Sequence, residues 1–577
     1  MWIDSGMRGR VGGEEGNGVW AIGNGGKEGV LECGNLFRSV DMGDSALILG
    51  VSGLRGVVGE SLTPEVAVRY AAAFGSWLCD QVDDGRWPRV VVGRDGRFGG
   101  EMVQSAVFSG LMGVGCRTRG LCVAMTPSVG VSCDTMSFDA AMIITASHNG
   151  QAWNGIKILV RPNEWTKLVD SDCRGTPGDG LIDACAPSAI MAEDIIERFE
   201  SGKIAWQENV LVGGFEWDDD TNSKHCLAVK RACERLDGKL WNEMLKKSGL
   251  TRVVTDSLNA SSAMIDFEFY NKGSIELVQI AGGTSGMFQH TPEPTRENLS
   301  GEGGLCDMVP GVKADVGFAQ DPDGDRLAVV DELGEYIGEE YTLVLCAMAI
   351  MEARMCGGGE EKTRLGEPGH LEKKEKKGKP VFVVNLSTSR MIDDVAGHYG
   401  AEVVRSAVGE ANVVEVMKKL SADGRDVVMG GEGNGGVIWA EVTYVRDSLS
   451  GMALILALMA RTGKTVSELV SMINGMGPTD EVKGDGYTIL KAKSDLAKKS
   501  DANPVVQHLN KVYSKVEGCR VDLVDGIRID WDERGVWAHV RASNTEAIMR
   551  VIVEAPSAEE AARVAGEIEG EIQGIGT

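Results

Sequence analysis

The stretch Asp321-Pro322-Asp323-Gly324-Asp325-Arg326 sets three carboxylates at alternate positions, with proline and glycine bending the backbone between them. Carboxylates spaced this way can converge on one point. Hard oxygen ligands suit Mg²⁺, which keeps coordination positions for water and a phosphate oxygen. An Asp-rich turn is the competing reading, because Asp-Gly pairs are common in turns. Here, however, the segment lies between two apolar runs, VGFA and LAVV. Three anions packed together without a cation would be costly, so the metal reading is the stronger one. An EF-hand does not fit: counting from Asp321, the twelfth place is Glu332 as required, but the sixth is Arg326 where that loop needs glycine.

Three further stretches carry chemistry-bearing side chains. In TASHNGQAWNGIK (145–157) an apolar run, Ala140 to Ile144, is followed by Ser147, His148, Asn149 and, beyond a polar turn, Lys157. The apolar run reads as a buried strand. The polar step after it is either a capped strand-to-helix connection or a nucleophile held where a substrate can reach it. In Gly430-Gly431-Glu432-Gly433-Asn434-Gly435-Gly436, glycines frame one carboxylate and one amide. Glycine permits close approach to a ligand, and a carboxylate there can accept hydrogen bonds from sugar hydroxyls; a flexible glycine loop is the alternative. Arg541-Ala542-Ser543-Asn544-Thr545-Glu546 offers a guanidinium, hydroxyls and an amide beside turn N–H groups, a set able to hold a phosphate. Alone, that stretch reads equally as an ordinary polar turn. Arg55, Arg94 and Arg97 lie nearer the N-terminus, where surface ion pairs are the bland reading.

Two resemblances mislead. Thr462-Gly463-Lys464-Thr465 imitates the end of a P-loop, but Leu458 stands where its first glycine belongs, so Gly463 reads as a helix C-cap. Of seven histidines only His148 lies within a motif, which disfavours a multi-histidine metallohydrolase.

The elements that must position these groups alternate. From Ser45–Val51 the pattern runs strand, helix (Thr63–Cys79), strand (90–93), helix (Glu101–Met112), then the apolar run before Ser147. Such alternation predicts layered α/β architecture with a mostly parallel sheet. Residues 161–190, rich in Gly, Asp and Pro, read as a surface insertion. A second unit holds a helix over Cys226–Lys247, the strand RVVTD and the Asp-rich loop. A third holds a helix over Tyr341–Met355 and strands PVFVVN and EVVRS, and its charged run 357–379 reads as a solvated disordered loop. Strands near VDLVDGIRI, WAHVRA and IMRVIVEA, then a helix over Ala558–Ile572, predict a small α+β domain. The expected boundaries are 42–201, 202–333, 334–474 and 475–577. Residues 1–41 read as a glycine-rich extension without periodicity, either a disordered tail or the product of a start codon miscalled upstream of Met42.

At 577 residues the chain exceeds one core. A net charge of −26 argues against nucleic acid or an anionic membrane as partner. It also requires that any anionic substrate meet concentrated local cations or N–H donors. Thirteen cysteines without a Cys-x-x-Cys pair fit reduced thiols and a cytoplasmic location. The apolar segment Gly451 to Ala460 is about half the length a membrane helix needs, and reads as buried helix.

In this order, the four stretches resemble the α-D-phosphohexomutase family, whose members carry a Thr-x-Ser-His-Asn loop, an Asp-x-Asp-Gly-Asp-Arg loop, a Gly-Glu sugar loop and an Arg-x-Ser-Asn/Gly-Thr-Glu phosphate loop. SGLRG, VVVGRDGR, MTPSVG, TPEPTRENL and NLSTSR support the match, which spans roughly Leu49 to Ala555. The resemblance implies three consecutive α/β/α layered domains with mixed sheets plus a smaller C-terminal α+β domain, around a central cleft. It implies a mutase interconverting hexose 6-phosphate and hexose 1-phosphate through a phosphoserine and a bisphosphorylated sugar, with one Mg²⁺ per site and hexose 1,6-bisphosphate as intermediate or activator. Ser147 then carries the phosphoryl group and, with Asp321, Asp323 and Asp325, completes the metal shell. Arg55 and Arg326 neutralise charge, while His148 and Lys157 are candidates for proton transfer or phosphate alignment. Glu432, Asn434 and Gly435 bind the sugar; Arg541, Ser543, Asn544 and Thr545 bind its other phosphate. The chain departs from the family at Gly150 and Ala547, where proline is usual, and at Glu410, where many relatives place histidine or another polar group. Glucosamine phosphate is the expected sugar, with mannose and glucose phosphates the alternative. The expected partner is a small sugar phosphate, not nucleic acid or membrane, and the expected state a monomer or homodimer. A non-catalytic sugar-phosphate sensor is the competing class.

Overall fold

The computed structural model describes residues 47–51, 53–82, 85–162, 182–239, 241–271, 273–356, 377–496, 501–542 and 548–574. Their strands form four sheets, of seven, four, four and five strands. Three of the sheets mix parallel and antiparallel pairs. In the first, Arg89–Arg94 runs parallel to both Arg117–Val123 and Ala140–Ile144, whereas Ala140–Ile144 pairs antiparallel with Trp153–Val160. The second pairs Val316–Gln320 parallel with Arg252–Asp256 and antiparallel with Leu327–Val330. In the third, Lys377–Asn385 lies parallel to Arg425–Glu432, which turns back antiparallel into Gly436–Ile438. The last is wholly antiparallel, with the helices Ala502–Tyr513 and Ala558–Gln573 packed against it.

These elements place the polar stretches at strand ends for a simple reason. Ala140–Ile144 is buried along its whole length, as a strand covered on both faces must be. The first residues free to be polar are those beyond its C-terminal end, where Ser147 sits. Likewise, Val316–Gln320 and Leu327–Val330 are fully buried and leave the Asp-rich loop as their connection.

The core between the second and third sheets is built from the helices Glu339–Cys356 and Ser448–Thr462, together with Thr221–Asp237. Asp447 caps Ser448–Thr462 by accepting from the Leu449 N–H at 3.0 Å, and Gly463, left-handed at φ 67°, ends it. Its residues from Ser448 through Met459 are all buried, so the apolar run is core helix. Among the described residues no single helix is long and apolar enough to cross a membrane.

Several expectations need adjustment. The helix expected over Cys226–Lys247 is two, Thr221–Asp237 and Trp241–Ser248, because Gly238 adopts a left-handed C-cap and breaks it. The seven-stranded sheet ends in Phe215–Asp218, paired parallel with Arg117–Val123, so its strands extend past residue 201. Of the stretch 161–190, residues 163–181 lie outside the described residues, but Asp183, Ala184 and Cys185 are buried, and Cys185 bridges to Val160. That flank is packed structure rather than surface insertion. Residues 1–46 and 357–376 also lie outside the described residues, whereas Lys377 to Lys379 open a strand.

One buried carboxylate in the second unit gives a pH prediction. Asp266, in the helix Ser262–Tyr270, is pushed up to about 7 by burial, against the lowering effect of a 3.0 Å hydrogen bond from Ser257. A carboxyl whose folded value exceeds its unfolded one stabilises below the unfolded value and loses that advantage as pH rises through the folded value. Between pH 4 and 7 this group should therefore cost about 4 kcal/mol. Denaturant unfolding of Asp266→Asn should show a shallower fall of stability across that window than the parent.

Candidate active site

Ser147 holds an unusual backbone, with φ at 52° in the left-handed region that side-chain-bearing residues rarely enter. The surrounding groups over-determine it. Its N–H donates to Thr145 Oγ1 at 2.8 Å, and its carbonyl accepts from Arg97 Nη2. Arg97, fully buried, also donates through Nη1 to the Trp153 carbonyl at 2.7 Å and to the Asn149 carbonyl at 3.2 Å, while Asp95 holds its Nε at 2.9 Å. This guanidinium thus staples both flanks of the loop. Arg55 adds a hydrogen bond to Asn149 Oδ1 at 2.9 Å.

The resulting geometry points the Ser147 hydroxyl at the Asp-rich loop, where it donates to Asp321 Oδ2 at 3.1 Å. His148 Nδ1 lies 3.3 Å from Ser147 Oγ. Burial, then the positive charges of Arg326 and Arg55, lower His148 to about 3, so the ring is neutral at ordinary pH.

Asp321, Asp323 and Asp325 offer ligand oxygens that all lie within 4.8 Å of one another, and all three are buried. Each carboxylate has been oriented. Asp321 Oδ1 accepts the N–H groups of Asp325 (3.0 Å) and Arg326 (3.1 Å). Asp323 Oδ2 accepts from Thr126 Oγ1 at 2.7 Å and from Lys157 Nζ. Asp325 Oδ2 accepts from Lys157 Nζ at 2.8 Å and from Arg446 Nη2 at 2.6 Å. What remains is diagnostic: Asp323 Oδ1 and Asp325 Oδ1 are buried without a partner. Unsatisfied buried carboxylate oxygens are expensive unless a ligand completes them. The donor set, all oxygen and clustered beside the Ser147 hydroxyl, fits Mg²⁺.

Electrostatics tell the same story. Burial and the neighbouring Asp325 and Asp323 charges push Asp321 well above the usual carboxylate range. Burial acts upward on Asp325 too, but the Arg446 and Lys157 cations outweigh it and hold Asp325 well below that range. Lys157 shows the converse balance: burial disfavours its charge, but Asp323 and Asp325 more than restore it. Arg326, by contrast, directs Nη1 toward Glu293 at 3.6 Å.

The glycine-framed loop meets the Asp-rich loop directly. The Leu327 N–H donates to the Gly435 carbonyl at 3.1 Å, and a side chain at Gly435 would come within 2.4 Å of the Leu327 carbonyl. Gly435 also has φ at 79°, so glycine is required here on both counts. Asn434 Oδ1 accepts from the Gly436 N–H at 3.2 Å and so folds the turn. Glu432 Oε1 accepts from Asn385 Nδ2 at 2.7 Å and the Gly409 N–H at 3.0 Å, while Oε2 accepts from Arg446 Nη1 at 2.8 Å.

Arg541 sits at the end of the strand Val536–Ala542, 3.7 Å from Asp525 through Nη1. Asp525 in turn accepts from the Val408 N–H at 3.1 Å, and His539 Nδ1 lies 2.8 Å from Ser387 Oγ, so the last sheet docks on the third. Ser543, Asn544 and Thr545 lie outside the described residues.

The structure therefore brings Ser147, His148, Lys157 and the three aspartates into one cluster, and joins Glu432 to it through Arg446. Sequence reasoning missed Arg446, and also the Asn385 and Thr126 side chains that orient the carboxylates. No local signal marks Arg446, whose partners are 14, 36 and 121 positions away.

Four family profiles match the chain in order: the phosphoglucomutase/phosphomannomutase alpha/beta/alpha domain I at residues 46–164, domain II at 234–334, domain III at 369–475 and the C-terminal domain at 492–571. A phosphoglucomutase/phosphomannomutase of Thermococcus kodakarensis is 31% identical over 89% of this chain and 96% of its own length. A probable phosphoglucosamine mutase of Methanopyrus kandleri is 30% identical over 90% of this chain and 96% of its own. In fold, the chain is similar to a phosphoglucomutase/phosphomannomutase family protein of Burkholderia thailandensis, with a TM-score of 0.66 and 21% identity across 91% of this chain and 98% of that one.

Proposed function

Since the chain belongs to the phosphoglucomutase/phosphomannomutase family of phosphohexomutases, we propose that it interconverts hexose 6-phosphate and hexose 1-phosphate through a phosphorylated Ser147, with glucosamine phosphate the preferred sugar. The enzyme is an isomerase of the intramolecular phosphotransferase kind. The observation that carries this reading is the Ser147 hydroxyl, held 3.1 Å from Asp321 across from two carboxylate oxygens that lack partners.

In the first half-reaction the phosphoserine P–O bond breaks and a P–O bond forms to the free hydroxyl of a sugar monophosphate, whose proton must leave. The second half-reaction reverses this from the other phosphate of the bisphosphorylated sugar. Asp321, Asp323 and Asp325 would hold Mg²⁺, which supplies electrostatic polarisation of the transferring group when bound. Lys157, fixed by two carboxylates, stays cationic and serves phosphate alignment. The neutral His148, with Nδ1 beside Ser147 Oγ, is the group placed to take and return the proton. Arg55 and Arg326 flank His148 and offset the phosphoryl charge. Glu432 accepts sugar hydroxyls, with Asn434 and Gly435 shaping the loop beside it, and Arg541 with Ser543, Asn544 and Thr545 receives the phosphate not in transfer.

Stripping divalent cations with a chelator should lower turnover by roughly 10²- to 10³-fold, since polarisation by the metal is worth several kcal/mol. Added Mg²⁺ should restore it.

The preference for glucosamine phosphate is supported by relatives such as those of Methanopyrus kandleri and Pyrococcus horikoshii, both described as probable phosphoglucosamine mutases. The Thermococcus kodakarensis relative, described as a phosphoglucomutase/phosphomannomutase, favours mannose and glucose phosphates as the second reading. Comparing kcat/KM on the 1- and 6-phosphates of glucosamine, mannose and glucose decides between them. The highest value is expected on glucosamine phosphate, and a higher value on either other sugar overturns the preference.

A further inference from the structure

Arg446 is the one buried guanidinium among the described residues that bonds three separate carboxylates through its three nitrogens. Nη2 donates to Asp325 Oδ2 at 2.6 Å, Nη1 to Glu432 Oε2 at 2.8 Å and Nε to Glu410 Oε2 at 2.9 Å. Its side chain is 10% exposed. The three acceptors come from different places: the Asp-rich loop, the glycine-framed loop, and the N-terminal turn of the helix Glu410–Ala422.

We propose that Arg446 is a positioning residue that couples cation binding at the aspartates to sugar binding at Glu432, and that Glu410 sets the orientation of its guanidinium. The proposal rests on the functional reading above only in assigning those two ligands.

Three observations carry it. By engaging Asp325 Oδ2 together with Lys157, Arg446 leaves Oδ1, the partnerless oxygen, as the one turned to a cation. By engaging Glu432 Oε2 while Asn385 and the Gly409 N–H hold Oε1, it fixes the rotation of the sugar-loop carboxylate. Finally, the sugar loop leaves room for the arginine stem: a side chain at Gly436 would come within 2.4 Å of Arg446 Cδ. A planar fork holds three acceptors in fixed directions from three separate nitrogens; an ammonium's donors radiate from one rotating nitrogen and fix no such spread. Neutralising a bound carboxylate's charge, or drawing Glu432 toward a sugar, therefore shifts the same guanidinium. Linkage makes the effect reciprocal: each ligand changes the affinity for the other by one common factor.

The test measures Mn²⁺ binding by the loss of the free-ion paramagnetic resonance signal, using full-length protein with and without saturating glucosamine 6-phosphate, and separately glucose 6-phosphate. In the parent, sugar phosphate should tighten Mn²⁺ binding about 5-fold or more, the lower end of ordinary coupling. Arg446→Lys should still bind Mn²⁺, with that factor reduced to less than about 2-fold. Its kcat should fall while the KM for sugar phosphate changes less than the Mn²⁺ dissociation constant. Glu410→Gln, which keeps shape and removes the charge orienting Nε, should reduce the factor partway, and serves alone if Arg446→Lys does not fold. The absence of coupling in the parent, or full coupling in either folded variant, overturns the proposal. Because Mn²⁺ binding does not require turnover, failure here is distinct from failure of the mutase reading, which would show as no phosphoserine at residue 147.

Discussion

Ser147→Ala should lower turnover by roughly 10⁴-fold or more, because removing a nucleophile abolishes the covalent route and leaves only binding and electrostatic effects. Sugar-phosphate affinity should change little, since alanine deletes one hydroxyl and adds no bulk. The same experiment separates the proposed mechanism from a non-catalytic sensor. Mass spectrometry of the parent should find phosphate on the Ser147 peptide, and none on the variant. Near-parent turnover in Ser147→Ala would remove Ser147 from the mechanism. Folding should survive the change, because the contacts that shape this loop run through its backbone: the Thr145 hydroxyl on the N–H and Arg97 on the carbonyl.

Asp323→Asn should have the second-largest effect, about 10³-fold in turnover together with a loss of Mg²⁺ affinity of about 100-fold. The reason is the donor inventory around this side chain. Thr126 Oγ1 and Lys157 Nζ both donate to Oδ2, and Oδ1 is left for a cation. An amide nitrogen has no acceptable place: turned outward it faces the metal, and turned inward it faces two donors. Thermal stability should report something different. Without metal the variant should melt below the parent, because Lys157 and Thr126 lose their carboxylate acceptor, and it should also lose the upward shift that Mg²⁺ gives the parent. A Mg²⁺-induced shift equal to the parent's would show that Asp323 is not a ligand.

Much of this was legible in the sequence because the chemistry is local. Three aspartates within five positions announce themselves, and an apolar strand followed by Ser-His-Asn locates the turn on which Ser147 stands. The fold class followed from alternating periodicity, which depends on neighbouring residues alone. What escaped notice depends on contacts distant in sequence. Arg446 follows a mixed stretch, Val442-Thr443-Tyr444-Val445, that carries no motif, and gains its meaning only when Asp325, 121 positions earlier, is folded against it. Glu410 read as a departure from the family at a sugar-contact position, whereas the structure pairs it with that arginine. The helix expected to run unbroken through Gly238 shows the opposite limit: apolar spacing continued across the glycine, but a left-handed cap stopped the helix. The buried flank at Asp183 to Cys185 was hidden by its composition, since glycine, aspartate and proline around it suggest surface.

The left-handed backbone at Ser147 has a consequence for how such a chain ages once its chemistry is no longer needed. A side chain held there carries a conformational penalty of about 1 kcal/mol or more that glycine would not. Substitution by glycine would relieve that penalty at the loss of the hydroxyl's bond to Asp321, and the proposed role as phosphate acceptor opposes it further. In a gene copy released from that role, the proposed nucleophile is a position where drift would relieve local backbone strain and leave a silent protein.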